Sequence, residues 1–127
     1  MKTAIVSAAA PKAIGPYSSA LRSGQLLFIS GQVPADPATG ALVEGDIDIQ
    51  TRRVLENIKS LLAEAHLTLD HVVRTTVFLA DMDDFPAMNA AYRSFFSEPF
   101  PARSTIQAAR LPRNARIEID AIASYDA

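Results

Sequence analysis

Val54-Leu55-Glu56-Asn57-Ile58-Lys59-Ser60-Leu61-Leu62-Ala63-Glu64-Ala65, followed by His71-Val72-Val73-Arg74-Thr75-Thr76-Val77-Phe78-Leu79, is the stretch on which the fold turns. In its first part Val54, Leu55, Ile58, Leu61, Leu62 and Ala65 recur at helical spacing, while Arg52, Glu56, Lys59 and Glu64 take the remaining surface. That pattern predicts an amphipathic helix from Asp48, with Asp46 or Asp48 as N-cap. The second part is β-branched and aromatic, and predicts a strand. A helix with one apolar stripe feeding such a strand implies a sheet with a helical layer packed on it.

Toward the N-terminus, Thr3 to Val6 reads as a short strand, and Ala10-Pro11-Lys12-Ala13-Ile14-Gly15-Pro16 as an extended loop closed by Tyr17, since both prolines resist regular hydrogen bonding. Ser18 to Arg22 and Leu26 to Gly31 flank a Ser23-Gly24 turn, and the second arm is apolar enough to be central in a sheet. Pro34 to Gly40 has turn chemistry. Toward the C-terminus, Asp81-Met82-Asp83-Asp84 offers acceptors for a second helix, whose buried face would carry Phe85, Met88, Tyr92, Phe95 and Phe96. Phe100-Pro101 ends it. Ala102 to Ala108 and Ala115 to Ser124 are the final strands, around a Leu111-Pro112-Arg113-Asn114 turn. The expected fold is α+β, a single domain over residues 1–127 with a mixed sheet of about six strands and two helices on one face. The other sheet face is left uncovered, which implies self-association.

Composition narrows the function. The chain is 49% hydrophobic and 20% charged with a formal net charge of -2, so it lacks the electrostatic footprint of a nucleic-acid binder. The N-terminus lacks the long apolar segment of a signal peptide, and no run is long enough to span a membrane; a cytoplasmic protein is expected. The absence of cysteine removes disulfides, thiolate nucleophiles and cysteine-ligated metals. His66 and His71 do not have the spacing of two metal ligands on one helical face and read as surface or packing residues; no metal or cofactor is expected. The serines lack a histidine partner or a nucleophile elbow, and no phosphate-cradling glycine loop or dinucleotide fingerprint is present.

Strand alternation places Arg103, Thr105 and Gln107 on one face of the penultimate strand, and Arg116, Glu118 and Asp120 on one face of the last. If these strands pair as a hairpin, an arginine fork and one or two carboxylates meet on a common surface, as an anion-and-water site or as an ion pair that staples two strands. Tyr17 could anchor its loop or present a hydroxyl to a ligand. Ser30-Gly31 is a strand end that also permits close approach to backbone, and Asn89 stands beside the apolar stripe of the second helix.

Ala13-Ile14-Gly15-Pro16-Tyr17-Ser18, Ile29-Ser30-Gly31-Gln32, Arg74-Thr75-Thr76-Val77-Phe78-Leu79, Asn89-Ala90-Ala91-Tyr92, Phe100-Pro101-Ala102-Arg103-Ser104 and Arg116-Ile117-Glu118-Ile119-Asp120-Ala121-Ile122-Ala123 occur in that order. In this the chain resembles the RidA/YjgF family over nearly its whole length. The resemblance implies a chorismate-mutase-like fold assembled as a homotrimer, with sites in clefts between neighbouring subunits. It further implies hydrolysis of 2-imino acids, such as 2-iminobutanoate and 2-iminopropanoate, to 2-keto acids and ammonia. By position, Arg103 would clamp the substrate carboxylate and Glu118 would orient or activate water, with Tyr17, Ser30, Gly31, Asn89 and Thr105 as further substrate contacts. Thr105 stands where some members carry cysteine, Asp120 replaces a second glutamate, and the Ser97-Glu98-Pro99 loop is shorter than in some relatives.

The chemistry so implied needs no cofactor. A bidentate arginine orients the carboxylate beside the electrophilic carbon of C=N, and general acid-base help from Glu118 adds about 10² to 10⁴ in rate. The rival readings are a ligand sensor using the same cleft, a holdase-like chaperone, or the translation inhibitor and ribonuclease described for some relatives. The acidic balance and the lack of a basic, aromatic-bearing strand face argue against RNA.

Overall fold

The computed structural model describes residues 1–127. Its strands are β1 (Lys2–Ile5), β2 (Ala20–Ser23), β3 (Leu26–Gln32), β4 (Val72–Leu79), β5 (Ala102–Gln107) and β6 (Ile117–Ser124), with helices α1 (Ile47–Glu64) and α2 (Phe85–Arg93). The element order matches the sequence reading, and so does the α+β architecture of one mixed sheet and two helices. No helix is long and apolar enough to cross a membrane.

Helix α1 begins one residue before Asp48 because Asp46 is its cap: the Asp46 carboxylate accepts a hydrogen bond from the Ile49 backbone N–H at 3.0 Å, a contact worth about 1 kcal/mol. Its apolar stripe is fully buried against the sheet from Val54 through Leu62. Two buried amides on α1, seven residues apart, share that inward side. Asn57 donates to the carbonyls of Ala35 (2.9 Å) and Val33 (3.4 Å), while Gln50 donates to Val43 O (3.2 Å) and accepts from the Arg116 N–H (3.2 Å). These bonds hold the loop between β3 and α1 against the helix. The Asp81 acceptors start a one-turn 3-10 helix over Met82–Asp84, which leads directly into α2. Met88, Tyr92 and Phe96 are buried as expected, with Phe85 and Phe95 partly so. His71 caps the turn that leads into β4, where its Nδ1 accepts from the Thr68 N–H at 3.1 Å.

The sheet order is β1-β2-β3-β6-β4-β5, antiparallel throughout except for the parallel pair β4-β5. The final two strands therefore do not form the hairpin considered from sequence; β4 lies between them. Helix α2 is the reason. A β-α-β crossover lays β5 parallel beside β4, and the chain then doubles back to insert β6 between β3 and β4. Side-chain character agrees: Ile117, Ile119, Ala121 and Ala123 are buried, as a central strand requires, whereas the polar alternation of β5 suits an edge. The face away from the helices carries Leu26, Phe28 and Ile106, which are 39%, 41% and 49% exposed, and no helix of the chain covers them.

Candidate functional site

Register decides where the two leading candidates point. Arg103 pairs with Thr75 of β4, and Glu118 pairs with Phe78 of the same strand. Positions 75 and 78 are an odd number of residues apart, so their neighbours project to opposite faces of the sheet. Arg103 faces the helices and Glu118 faces the open side. Within one chain the fork and the carboxylate do not meet, which corrects the common surface considered from sequence.

The Glu118 half is a cleft of about 540 Å³ lined by Tyr17, Gly31 and Glu118 together with Lys12, Gln32 and Arg113. Strand β3 is irregular between Ile29 and Gln32, and this bulge at Ser30-Gly31 brings the Gly31 backbone onto the Glu118 side chain. A Cβ on residue 31 would lie 2.8 Å from Glu118 Cδ. Burial pushes the Glu118 carboxyl above the ordinary carboxylate range, and the negative charge of Asp120, two residues on along the same face, adds to the rise. Arg103, on the other face, does not oppose it. The Ser30 hydroxyl donates to Ser18 O at 2.6 Å and its N–H to Ser19 O at 2.9 Å, so Ser30 clasps the Tyr17 loop to β3. Tyr17 is 48% exposed, and its hydroxyl accepts a long hydrogen bond from the Ile14 N–H at 3.4 Å.

The Arg103 half is a pocket of about 330 Å³ between α2 and the start of β5, lined by Asn89, Tyr92, Arg93, Phe100, Pro101 and Arg103. The Arg103 guanidinium carbon lies 4.7 Å from the centroid of the Tyr92 ring and 5.6 Å from that of Phe85. Stacking of this kind steadies the fork while leaving its in-plane N–H groups free. The Tyr92 hydroxyl is paired with Thr75 Oγ1 at 2.8 Å. Burial raises its pKa above the ordinary value, opposed by the Thr75 hydrogen bond and by the Arg103 charge. Thr105, on the same face as Arg103, has a buried hydroxyl that pairs with no protein group.

An ion pair joins the residue before β6 to the start of the second helix. Arg116 makes a two-pronged ion pair with Asp84 at the start of α2, at 2.9 and 3.3 Å. No group of three or more His, Asp or Glu side chains is placed to hold a metal ion. The structure thus brings Tyr17, Gly31 and Glu118 together, and separately Asn89 and Arg103. Sequence reading missed Lys12 and Arg113 at the first cleft, which come from distant loops with no local signal. It also took Tyr92 for packing alone and passed over Arg93, although Arg93 stands one helical turn beyond Asn89.

Known proteins resemble the chain over nearly its whole length. The chain is 52% identical over 123 residues to a RutC family protein of Pyrococcus horikoshii, covering 97% of this chain and 98% of the relative. It is 46% identical over 126 residues to the 2-iminobutanoate/2-iminopropanoate deaminase of Salmonella typhimurium, covering 97% and 98%. The structure of YyfA, a protein of unknown function of the conserved Rid family from Yersinia pestis, superposes with a TM-score of 0.95 at 44% identity, covering 98% of this chain and 99% of that one. The family model described as Endoribonuclease L-PSP matches residues 7–125, and the chain belongs to that family, RidA/YjgF.

Proposed function

We propose that this protein hydrolyses 2-imino acids, of the size of 2-iminobutanoate and 2-iminopropanoate, to 2-keto acids and ammonia at sites shared between copies of the chain. The observation that carries the reading is the pair of half-sites: on one face a carboxyl-bearing cleft whose own Arg113 is engaged with the Gly40 carbonyl, and on the other an arginine pocket with no carboxylate. A second copy seated on the open face would bring its fork to the Glu118 cleft, and cyclic repetition of that contact closes a trimer.

In such a site the Arg103 fork holds the substrate carboxylate through two charge-assisted hydrogen bonds and orients the adjacent C=N carbon. Asn89 and the Thr105 hydroxyl lie on the Arg103 side, and Tyr17, Gly31 and the Ser30-clasped loop shape the opposite wall. Glu118 orients a water toward the carbon and takes its proton. A carboxyl held above its ordinary range can then return that proton to nitrogen as the carbinolamine collapses, releasing ammonia. Imines hydrolyse unaided in water, so positioning and proton transfer suffice.

The test is ammonia or keto-acid release from freshly generated 2-iminobutanoate, above the spontaneous rate, for wild type and Arg103→Ala. Acceleration by wild type that disappears in the variant supports the reading. No acceleration by folded wild type overturns it and leaves the cleft to a ligand-sensing role.

A further inference from the structure

The Arg103 pocket contains a second cation that the chemistry above does not use. Arg93 ends α2 one turn after Asn89, with Tyr92 between them, so all three side chains line the same pocket facing β5. The Arg93 guanidinium carbon lies 5.6 Å from the Phe100 ring centroid, as Arg103 lies over Tyr92 and Phe85. Each guanidinium therefore has an aromatic ring beneath one face and its in-plane donors free. No Asp or Glu lines the pocket, and the ion pairs of the chain, Arg52–Asp48 and Arg116–Asp84, involve neither arginine. Two free forks in about 330 Å³ create a positive potential that the α-carboxylate alone does not neutralise, and the Glu118 carboxyl that a second copy would bring is held by burial above the ordinary carboxylate range, which lessens the negative charge it adds.

We infer that this pocket is a dianion site: Arg103 holds the α-carboxylate, and Arg93 holds a second carboxylate at the far end of the substrate side chain. Dicarboxylic 2-imino acids such as 2-iminosuccinate and 2-iminoglutarate are then substrates. The inference rests on the deaminase reading and extends it to a substrate class. Arg93 is solvent-exposed, so its contribution is that of a screened rim contact. Its place in the last turn of α2 also complements the helix dipole, a structural role indifferent to substrate.

The experiment compares kcat/KM for 2-iminoglutarate and 2-iminobutanoate, each generated in situ from its amino acid by an amino-acid oxidase, in wild type, Arg93→Ala and Arg93→Lys. The expected result is a fall of about fivefold in the 2-iminoglutarate to 2-iminobutanoate ratio for Arg93→Ala, with partial recovery in Arg93→Lys. A purely structural role, or an Arg93 that shares the α-carboxylate, depresses both substrates alike; an unchanged ratio overturns the inference. Calorimetry with 2-oxoglutarate and 2-oxobutanoate separates it from the deaminase reading. If wild type turns over neither imine, a preference for the dicarboxylate that Arg93→Ala abolishes still supports the dianion pocket. Equal binding of the two keto acids, or Arg93-dependent binding of single-stranded RNA in place of either, overturns it.

Discussion

The carboxyl group of Glu118 is seated against the Cα of Gly31, where a Cβ would come within 2.8 Å of Glu118 Cδ. Gly31 is thus the residue that permits Glu118 its position in the cleft. The requirement is one of space: Gly31 does not lie at a positive φ, so an added side chain there collides without straining the backbone.

Gly31→Ala is expected to displace the carboxyl by about the 1 Å that costs on the order of 10²-fold in rate, while secondary structure is retained. Circular dichroism and imine turnover on one preparation check this. Full activity in a folded variant would show that the carboxyl has slack.

Because Arg103 and Glu118 lie on opposite faces, Arg103→Ala and Glu118→Gln are each expected to abolish activity, yet complement one another when mixed. After the two variants are denatured and refolded together in equal amounts, about one quarter of the shared sites pair an intact fork with an intact carboxyl. Activity near that fraction of wild type is the expected result. A mixture as inactive as its components would place each site within a single chain.

Burial first, and Asp120 second, raise the folded-state pKa of Glu118, so the folded chain holds this proton more tightly than the unfolded chain does. The resulting stability is complete below the unfolded pKa and is lost as pH rises through the raised folded value. Glu118→Gln removes the charge that causes the loss. Its Tm relative to wild type should therefore climb as pH is raised from the acid end through the carboxylate range toward neutrality. A difference that stays flat, or falls with pH, contradicts a raised folded-state pKa for Glu118.

Tyr92 supports Arg103 with its ring and Thr75 with its hydroxyl. Tyr92→Phe keeps the ring and leaves the buried Thr75 hydroxyl unpaired, at a cost of about 1–3 kcal/mol measurable by urea denaturation. Tyr92→Leu also removes the π face beneath the guanidinium, and should raise KM more than Tyr92→Phe does. Equal KM values in the two variants would mean that the stacking does not hold the fork.

Much of this was legible in the linear chain. The stripe from Val54 to Ala65, the Asp46 cap, the apolar alternation of β6 and the aspartates before α2 are local patterns, and local backbone preference and periodicity suffice to specify them. The motifs around Gly31, Asn89, Arg103 and Glu118 likewise named candidate residues, which the fold gathers into two separate clefts. What tertiary structure alone decided is how those residues face one another. Alternation along β5 and β6 shows which side chains share a face of each strand, but not which faces coincide, because that depends on partners far away in sequence. The crossover through α2 placed β4 between the two strands and set Arg103 and Glu118 on opposite sides of the sheet. Lys12, Arg113 and the ring of Tyr92 reach their places by the same non-local packing, which leaves no periodic trace in the sequence.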